Sequence, residues 1–245
     1  MPSIPIDVLR EILEHVRKAD LATICRVNKV CHSCSQEVLY REIYHGNRRT
    51  IQTLAKSTYL ARLVRSFKTN QLSPELATAL RNMSSLRSLY LDVIGDASIL
   101  DGCTFKLDSF TCSFPYSKSL QQFLNSQPSI THVTFFEGCQ PFLPFDERCL
   151  PNLTRVLAHH SWLGILIPGR PVREVSMFSS SSNNSTDLSY FVLSTTPIQK
   201  LRVYYDIIYP KPVSRLVSLF SSLVHLAVIA WGVKSTVCVP LCLSI

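Results

Sequence analysis

The 245-residue chain is 46% hydrophobic and only 17% charged, too apolar and too weakly charged for a disordered segment, so it is expected to fold. Its formal charge of +8 is densest at Arg48, Arg49, Lys56, Arg62, Arg65 and Lys68, where aromatics are not interleaved with the cations. With no nucleic-acid module signature beside it, that charge points to an acidic protein partner rather than to nucleic acid.

The stretch from Met1 to Arg17 lacks the basic start and apolar run of a secretory leader and carries Asp7, Arg10, Glu11 and Glu14 instead, so the product is expected in the cytoplasm, the nucleus or both. Pro5 suits a first helical turn, where its missing N–H costs nothing, and Asp7 suits the positive end of the helix dipole. Ile6, Leu9, Leu13 and Val16 then recur at three- and four-residue steps, which predicts a helix with one apolar stripe. Asp20 is the candidate N-cap of a second helix presenting Leu21, Ile24 and Cys25, and a third helical segment runs through Cys34, Val38 and Ile43. Three helices this short bury too little surface to be robust alone. Any small helical cap would pack Leu9, Ile12, Leu13, Ile24 and Val27 in the same way.

The runs Pro5-Ile6-x-Val8-Leu9-x-x-Ile12-Leu13, Leu21-x-x-Ile24-Cys25-x-Val27-Asn28-Lys29 and Val38-Leu39-Tyr40-Arg41-x-Ile43 resemble the F-box motif over Ile4 to about Tyr44, especially in the version common in fungal proteins. The resemblance implies binding to the Skp-type adaptor of a cullin ubiquitin-ligase core. It assigns adaptor contact to Pro5, Ile6, Leu9, Ile12, Leu13, Leu21 and Ile24. Where the family places an aromatic after the second helix, this chain has Cys31 followed by His32.

From residue 83 onward one apolar template recurs: an apolar residue, another three later, a third two after that. The copies are Leu86/Leu89/Leu91, Leu107/Phe110/Cys112, Ile130/Val133/Phe135, Leu153/Val156/Ala158, Val172/Val175/Met177, Ile198/Leu201/Val203 and Leu223/Leu226/Val228. Their first positions are 21, 23, 23, 19, 26 and 25 residues apart, within the leucine-rich-repeat period of roughly 20–29. The last two positions of each copy share one face of a strand. Helix starts fall between several copies: Ser73-Pro74-Glu75 before Leu76, Ser117 before Leu120, Asp187 before Leu188, and Pro212 before Leu216. Strand then helix, repeated, is the unit of a solenoid with a parallel sheet along its concave side. The spacing wanders and the usual asparagine is missing, as in the irregular repeats that follow fungal F-boxes. A doubly wound α/β sheet is the rival, but its crossovers fit poorly into the 19 residues from Leu153 to Val172.

Ser179 to Ser185 reads as a polar loop. Leu216 to Val233, broken by Ser218, Ser221, Ser222 and His225, falls short of the roughly 20 apolar residues that span a bilayer. The apolar end, Val237 to Ile245, is not the polar cap that an array needs, so the array is expected to be truncated there.

The fold class expected is thus α/β: a three-helix F-box-like module at 4–45, a basic helical linker or cap of the array at 46–82, and an irregular leucine-rich-repeat solenoid at 83–245. The solvent-facing strand positions, among them Arg87, Ser88, Tyr90, His132, Thr134, Arg155, Arg173, Gln199, Arg202 and Tyr204, are the candidates for contact with a target protein. The nine cysteines form no paired framework. Cys31-His32-x-Cys34 with Cys25 is the nearest approach to a zinc pattern and lacks a second ligand pair. His159 and His160, adjacent on a strand, point to opposite faces and cannot chelate together without a bend. No phosphate-binding glycine loop, nucleophile elbow or zinc-protease helix is present, and no catalytic residue, metal ligand or cofactor is expected. The sequence therefore reads as a non-enzymatic substrate adaptor of a Skp-cullin-F-box ligase. Its alternative is a repeat scaffold with a degenerate F-box and no ligase.

Overall fold

A computed structural model describes residues 4–136, 146, 148–179, 189–205, 222–230 and 236–240. The chain divides into two compact units, Met1–Leu91 with Ile99–Lys106, and Asp92–Ser98 with Leu107–Ile245.

The first unit begins with three helices, α1 (Ile6–Glu14), α2 (Lys18–Ile24) and α3 (Lys29–Arg41). Asp20 is not a cap: α2 starts two residues earlier, and the Asp20 carboxylate instead pairs with Arg17 at 2.8 Å. The side chain that does cap is Asn28, which accepts the Cys31 N–H at 2.8 Å and starts α3. The third helix also stops short of Ile43. Residues Glu42–Ile43 turn extended as β1 because they pair in parallel with Ser66 and Phe67 of β2 (Ser66–Thr69), a tertiary constraint that helical periodicity does not report.

Between them lie α4 (Arg48–Lys56) and α5 (Thr58–Leu63), each capped by the residue before it, Asn47 and Ser57. After β2 come α6 (Leu76–Asn82) and β3 (Ser88–Leu91), and the sheet order in this unit is β1-β2-β3, all parallel. Helix α4 buries Ile51 and Leu54 and packs against α6, which buries Leu76, Ala79 and Leu80. The Asn82 amide ties the two by donating to the Leu54 and Ala55 carbonyls. Gly46 crosses so close to β2 that a Cβ there would lie 2.7 Å from the Phe67 ring.

The second unit holds β4 (Ser109–Cys112), α7 (Lys118–Asn125), β5 (His132–Phe135), β6 (Arg155–His159), α8 (His160–Leu166), β7 (Glu174–Ser179), a 3₁₀ turn at Ser189–Leu193, β8 (Lys200–Tyr205), β9 (His225–Ala230) and β10 (Thr236–Pro240). Strands β4 to β9 lie side by side in chain order and parallel, without the order reversal of a doubly wound sheet. The 19-residue interval that argued against a crossover holds α8, a helix of 7 residues. Within the apolar end, Thr236–Pro240 forms β10, antiparallel to β9, and residues 241–245 lie outside the described residues.

The apolar triplets account for this order. Their second positions align strand to strand, Phe110 with Val133, Val133 with Val156, Val156 with Val175, Val175 with Leu201 and Leu201 with Leu226. All three positions of every copy from Leu86 to Val203 are buried, as are Leu223 and Leu226; the Val228 side chain lies outside the described residues. Hydroxyls just ahead of a triplet donate to the carbonyl of the previous triplet's first residue: Ser129 to Leu107 at 2.7 Å, Thr196 to Val172 at 3.3 Å and Ser222 to Ile198 at 3.4 Å. Behind the strands, Trp162 of α8 stacks on Phe135 at 4.3 Å and meets Tyr116 edge-on at 5.1 Å, while Phe110 packs against Phe123 of α7.

Helix α7 begins where Ser117 predicts, its hydroxyl accepting the Leu120 N–H, and α6 begins just after Ser73-Pro74-Glu75. Asp187, Pro212, the loop after Ser179 and most of Leu216 to Val233 lie outside the described residues. Among the described residues no helix is long and apolar enough to cross a membrane.

Candidate functional site

The seven residues that the sequence assigned to a partner separate into three groups in the structure. Leu13 and Leu21, 2% and 1% exposed, form with Cys34 the small core that holds α1, α2 and α3 together. Leu9 and Ile24 are half-buried against that core, beside Val16, Val38 and Leu39. Pro5, Ile6 and Ile12 stand in solvent, Ile6 at 52% and Ile12 at 49% exposed, with Ile4 and Val8 beside them in sequence. Val8 and Ile12, four residues apart, share one exposed flank of α1, and Ile6 lies on the other. Val27, in the turn between α2 and α3, and Val30, in the first turn of α3, are exposed as well.

Helical geometry explains the split. Leu9, Leu13 and Val16 fall on one narrow face, and the small core has room for little else. Pro5 sits extended just ahead of α1, and its carbonyl accepts the Leu9 N–H at 3.0 Å, so Ile4 and Pro5 project from the helix start. Two ion pairs, Arg10 to Glu37 at 2.9 Å and Arg41 to Glu14, clamp α1 against α3. Both lie at the surface, where solvent screens them. The outcome is a thin three-helix module with a small core, whose leading apolar residues lie exposed among the described residues.

In the second unit, the sheet face opposite the triplets carries a polar row in register: Ser109, His132, Arg155, Glu174, Lys200 and His225. Glu174 bridges Arg155 at 3.0 Å and Lys200 at 2.8 Å, and the hydrogen bond from Lys200 holds its carboxyl below the ordinary range. Partial burial, with Arg155 nearby, lowers the His132 imidazole below its usual value. Thr134 and Arg202 lie one row over on the same strands; the Tyr204 side chain lies outside the described residues.

The histidine pair behaves differently from the strand argument. His159 ends β6 and His160 opens α8, so the chain bends between them and their rings meet with centroids 3.9 Å apart. His159 Nδ1 lies 2.9 Å from the Ser161 hydroxyl and caps α8, a structural use of the ring. His32 Nδ1 lies 3.0 Å from the Cys25 carbonyl, and the Cys34 side chain turns into the helical core, so that cluster does not converge. Among the described residues no three His, Cys, Asp or Glu side chains are grouped to hold a metal. Burial pushes the Cys149 thiol up to about 12 and the Cys103 thiol up to about 11.

Sequence reasoning missed two features. Val64/Phe67/Thr69 repeats the triplet one period before Leu86 and pairs in register with it, Phe67 against Leu89. Its third position is a threonine whose hydroxyl donates to the Gly46 carbonyl at 2.7 Å, which hides it from an apolar template. Arg170, buried after the left-handed turn at Gly169, donates to the carbonyls of Cys149, Ile165, Pro168 and Asp146. None of the curated proteins compared matches the chain. The family model of the F-box domain matches residues 1–41, the span of α1, α2 and α3. The chain thus carries an F-box domain at these helices, and such a domain indicates, in general, binding to Skp-type adaptors and an adaptor role in ubiquitin ligation.

Proposed function

We propose that this protein is the substrate-recognition subunit of a Skp-cullin-F-box ubiquitin ligase, joining two proteins and catalysing no reaction itself. The observation that carries the reading is the F-box match on a helical module whose leading apolar residues, Pro5, Ile6 and Ile12, are exposed. These residues are the adaptor contacts, with Leu9 and Ile24 at the margin. Leu13 and Leu21 act through the fold, because residues so deeply buried meet a partner only if the helices part.

The remainder is an irregular leucine-rich-repeat solenoid that holds the target. The in-register triplets, the chain-order parallel strands and the recurring hydroxyl-to-carbonyl bonds support this reading. The target lies on the sheet face that carries Arg155, Glu174, Lys200 and Arg202, where cations outnumber carboxylates and favour an acidic segment.

Co-expression with a Skp-type adaptor and cullin tests the proposal. The full chain should co-purify with the core, and Ile6→Asp with Ile12→Asp should abolish capture while circular dichroism stays unchanged. A folded chain that fails to capture the core would favour a scaffold outside any ligase.

A further inference from the structure

In the first unit, α1, α3 and the segment from α5 to β2 border an open cavity of about 260 Å³ whose charged lining is Arg10, Glu14, Glu37, Arg41, Arg62 and Arg65. Four arginines and two glutamates line it, and both carboxylates are already engaged, Glu37 by Arg10 and Glu14 by Arg41. Arg62 and Arg65 have no carboxylate partner among the described residues. Arg65 is held there by its backbone: its N–H donates to the Arg41 carbonyl at 2.8 Å, and its carbonyl accepts from Arg87 and Ser88 at 2.8 and 3.0 Å. The lining residues thus carry four positive and two negative formal charges, an excess of two positive charges in one concavity.

From this geometry we infer that the cavity is a binding site for a phosphate monoester dianion. A dianion balances the excess of two. Its tetrahedral oxygens accept the paired N–H groups of arginine forks better than those of a single-point ammonium. The cavity falls below the roughly 300–1,000 Å³ of sites for whole small-molecule ligands, so it takes the phosphate group and not a whole nucleotide. Bound there, the anion joins the F-box helices to α5 and so stiffens the module against the segment that follows it.

The test is calorimetric titration of the full chain with inorganic phosphate, and in parallel with a phosphoserine peptide, at constant ionic strength. Arg62→Gln with Arg65→Gln should weaken binding by about tenfold or more, a loss of about 1.4 kcal/mol, because it removes two of the charged donors. Arg62→Lys with Arg65→Lys, which keeps the charge and loses the forks, should weaken it as well. Arg48→Gln with Arg49→Gln, outside the cavity, should leave it unchanged. Tighter binding of the peptide assigns the phosphate to a phosphoprotein, and equal binding assigns it to a free anion. If the glutamine variant misfolds, the arginine Nε–H resonances of the wild-type chain decide, those of Arg62 and Arg65 shifting on phosphate addition. No binding by the wild type, equal loss in the Arg48/Arg49 variant, or arginine shifts spread over the whole chain would overturn the proposal.

Discussion

Replacing Arg170 by alanine should destabilise the second unit more than any surface change. The side chain is 1% exposed and donates to four carbonyls: Nε to Cys149 at 2.8 Å, Nη1 to Ile165 at 2.8 Å and Pro168 at 3.0 Å, and Nη2 to Asp146 at 3.1 Å. Bonds from a charged donor contribute about 1.5–3 kcal/mol each, and several kcal/mol of desolvation oppose their sum, so the expected loss is about 3–4 kcal/mol. That is a large part of the 5–15 kcal/mol that typically holds a domain. Arg170→Lys should recover at most about 1 kcal/mol, because one ammonium cannot reach acceptors that a planar fork spans. The assay is urea unfolding followed by Trp162 fluorescence in a Trp231→Phe background, since Trp162 is buried on Phe135 and reports this unit alone. A local probe is needed because a chain of two units need not unfold in one step. A loss below about 1 kcal/mol would refute the argument, meaning that water satisfies those carbonyls.

Stability of the second unit should fall in two steps as the pH is lowered. The folded His132 titrates below its ordinary 6.5, so the unfolded chain binds its proton first, and stability is lost as the pH falls from 6.5 downward; His132→Gln should flatten that step. Glu174 titrates below 4.5, so its contribution, full above that pH, is lost below it; Glu174→Gln should remove that limb, by at most about 1 kcal/mol for a pair this exposed. Unchanged profiles in both variants would contradict these assignments. In alkylation at neutral pH followed by mass spectrometry, Cys149 and Cys103, with thiols raised to about 12 and about 11, should stay unlabelled until urea is added, and rapid native labelling would count against their burial. Gly46→Ala should cost about 1–3 kcal/mol by driving a methyl into the buried Phe67 ring, and an unshifted thermal melt would show that the ring yields freely.

The parts of this molecule that were readable in the sequence are those whose signal is local and periodic. Helix α1 follows from a proline-led amphipathic run, and strands β3 to β9 follow from triplets whose alternation matches a sheet buried on one face. The features that stayed hidden depend on residues far apart in sequence. Arg170 binds carbonyls as distant as Cys149 and Asp146, and no spacing rule marks it. Ile43 leaves the helix to pair with Phe67, and Thr69 fills an apolar position because Gly46 supplies its hydrogen bond. Ile6 and Leu9 read as one stripe, although the core is wide enough to half-bury Leu9 and leaves Ile6 in water. The site was therefore legible as a motif and not as a surface, since periodicity names apolar residues without saying which ones a small core can hold.

On the proposed function, the three leading helices, and not the sheet, hold the ligase core. Hydrogen–deuterium exchange of the full chain with and without a purified Skp-type adaptor tests it most directly. Slowed exchange confined to residues 4–41, with β4 to β8 unchanged, is the predicted result. Protection centred on the strands of Arg155, Glu174 and Lys200, or no protection at adaptor concentrations that saturate other F-box chains, would contradict it.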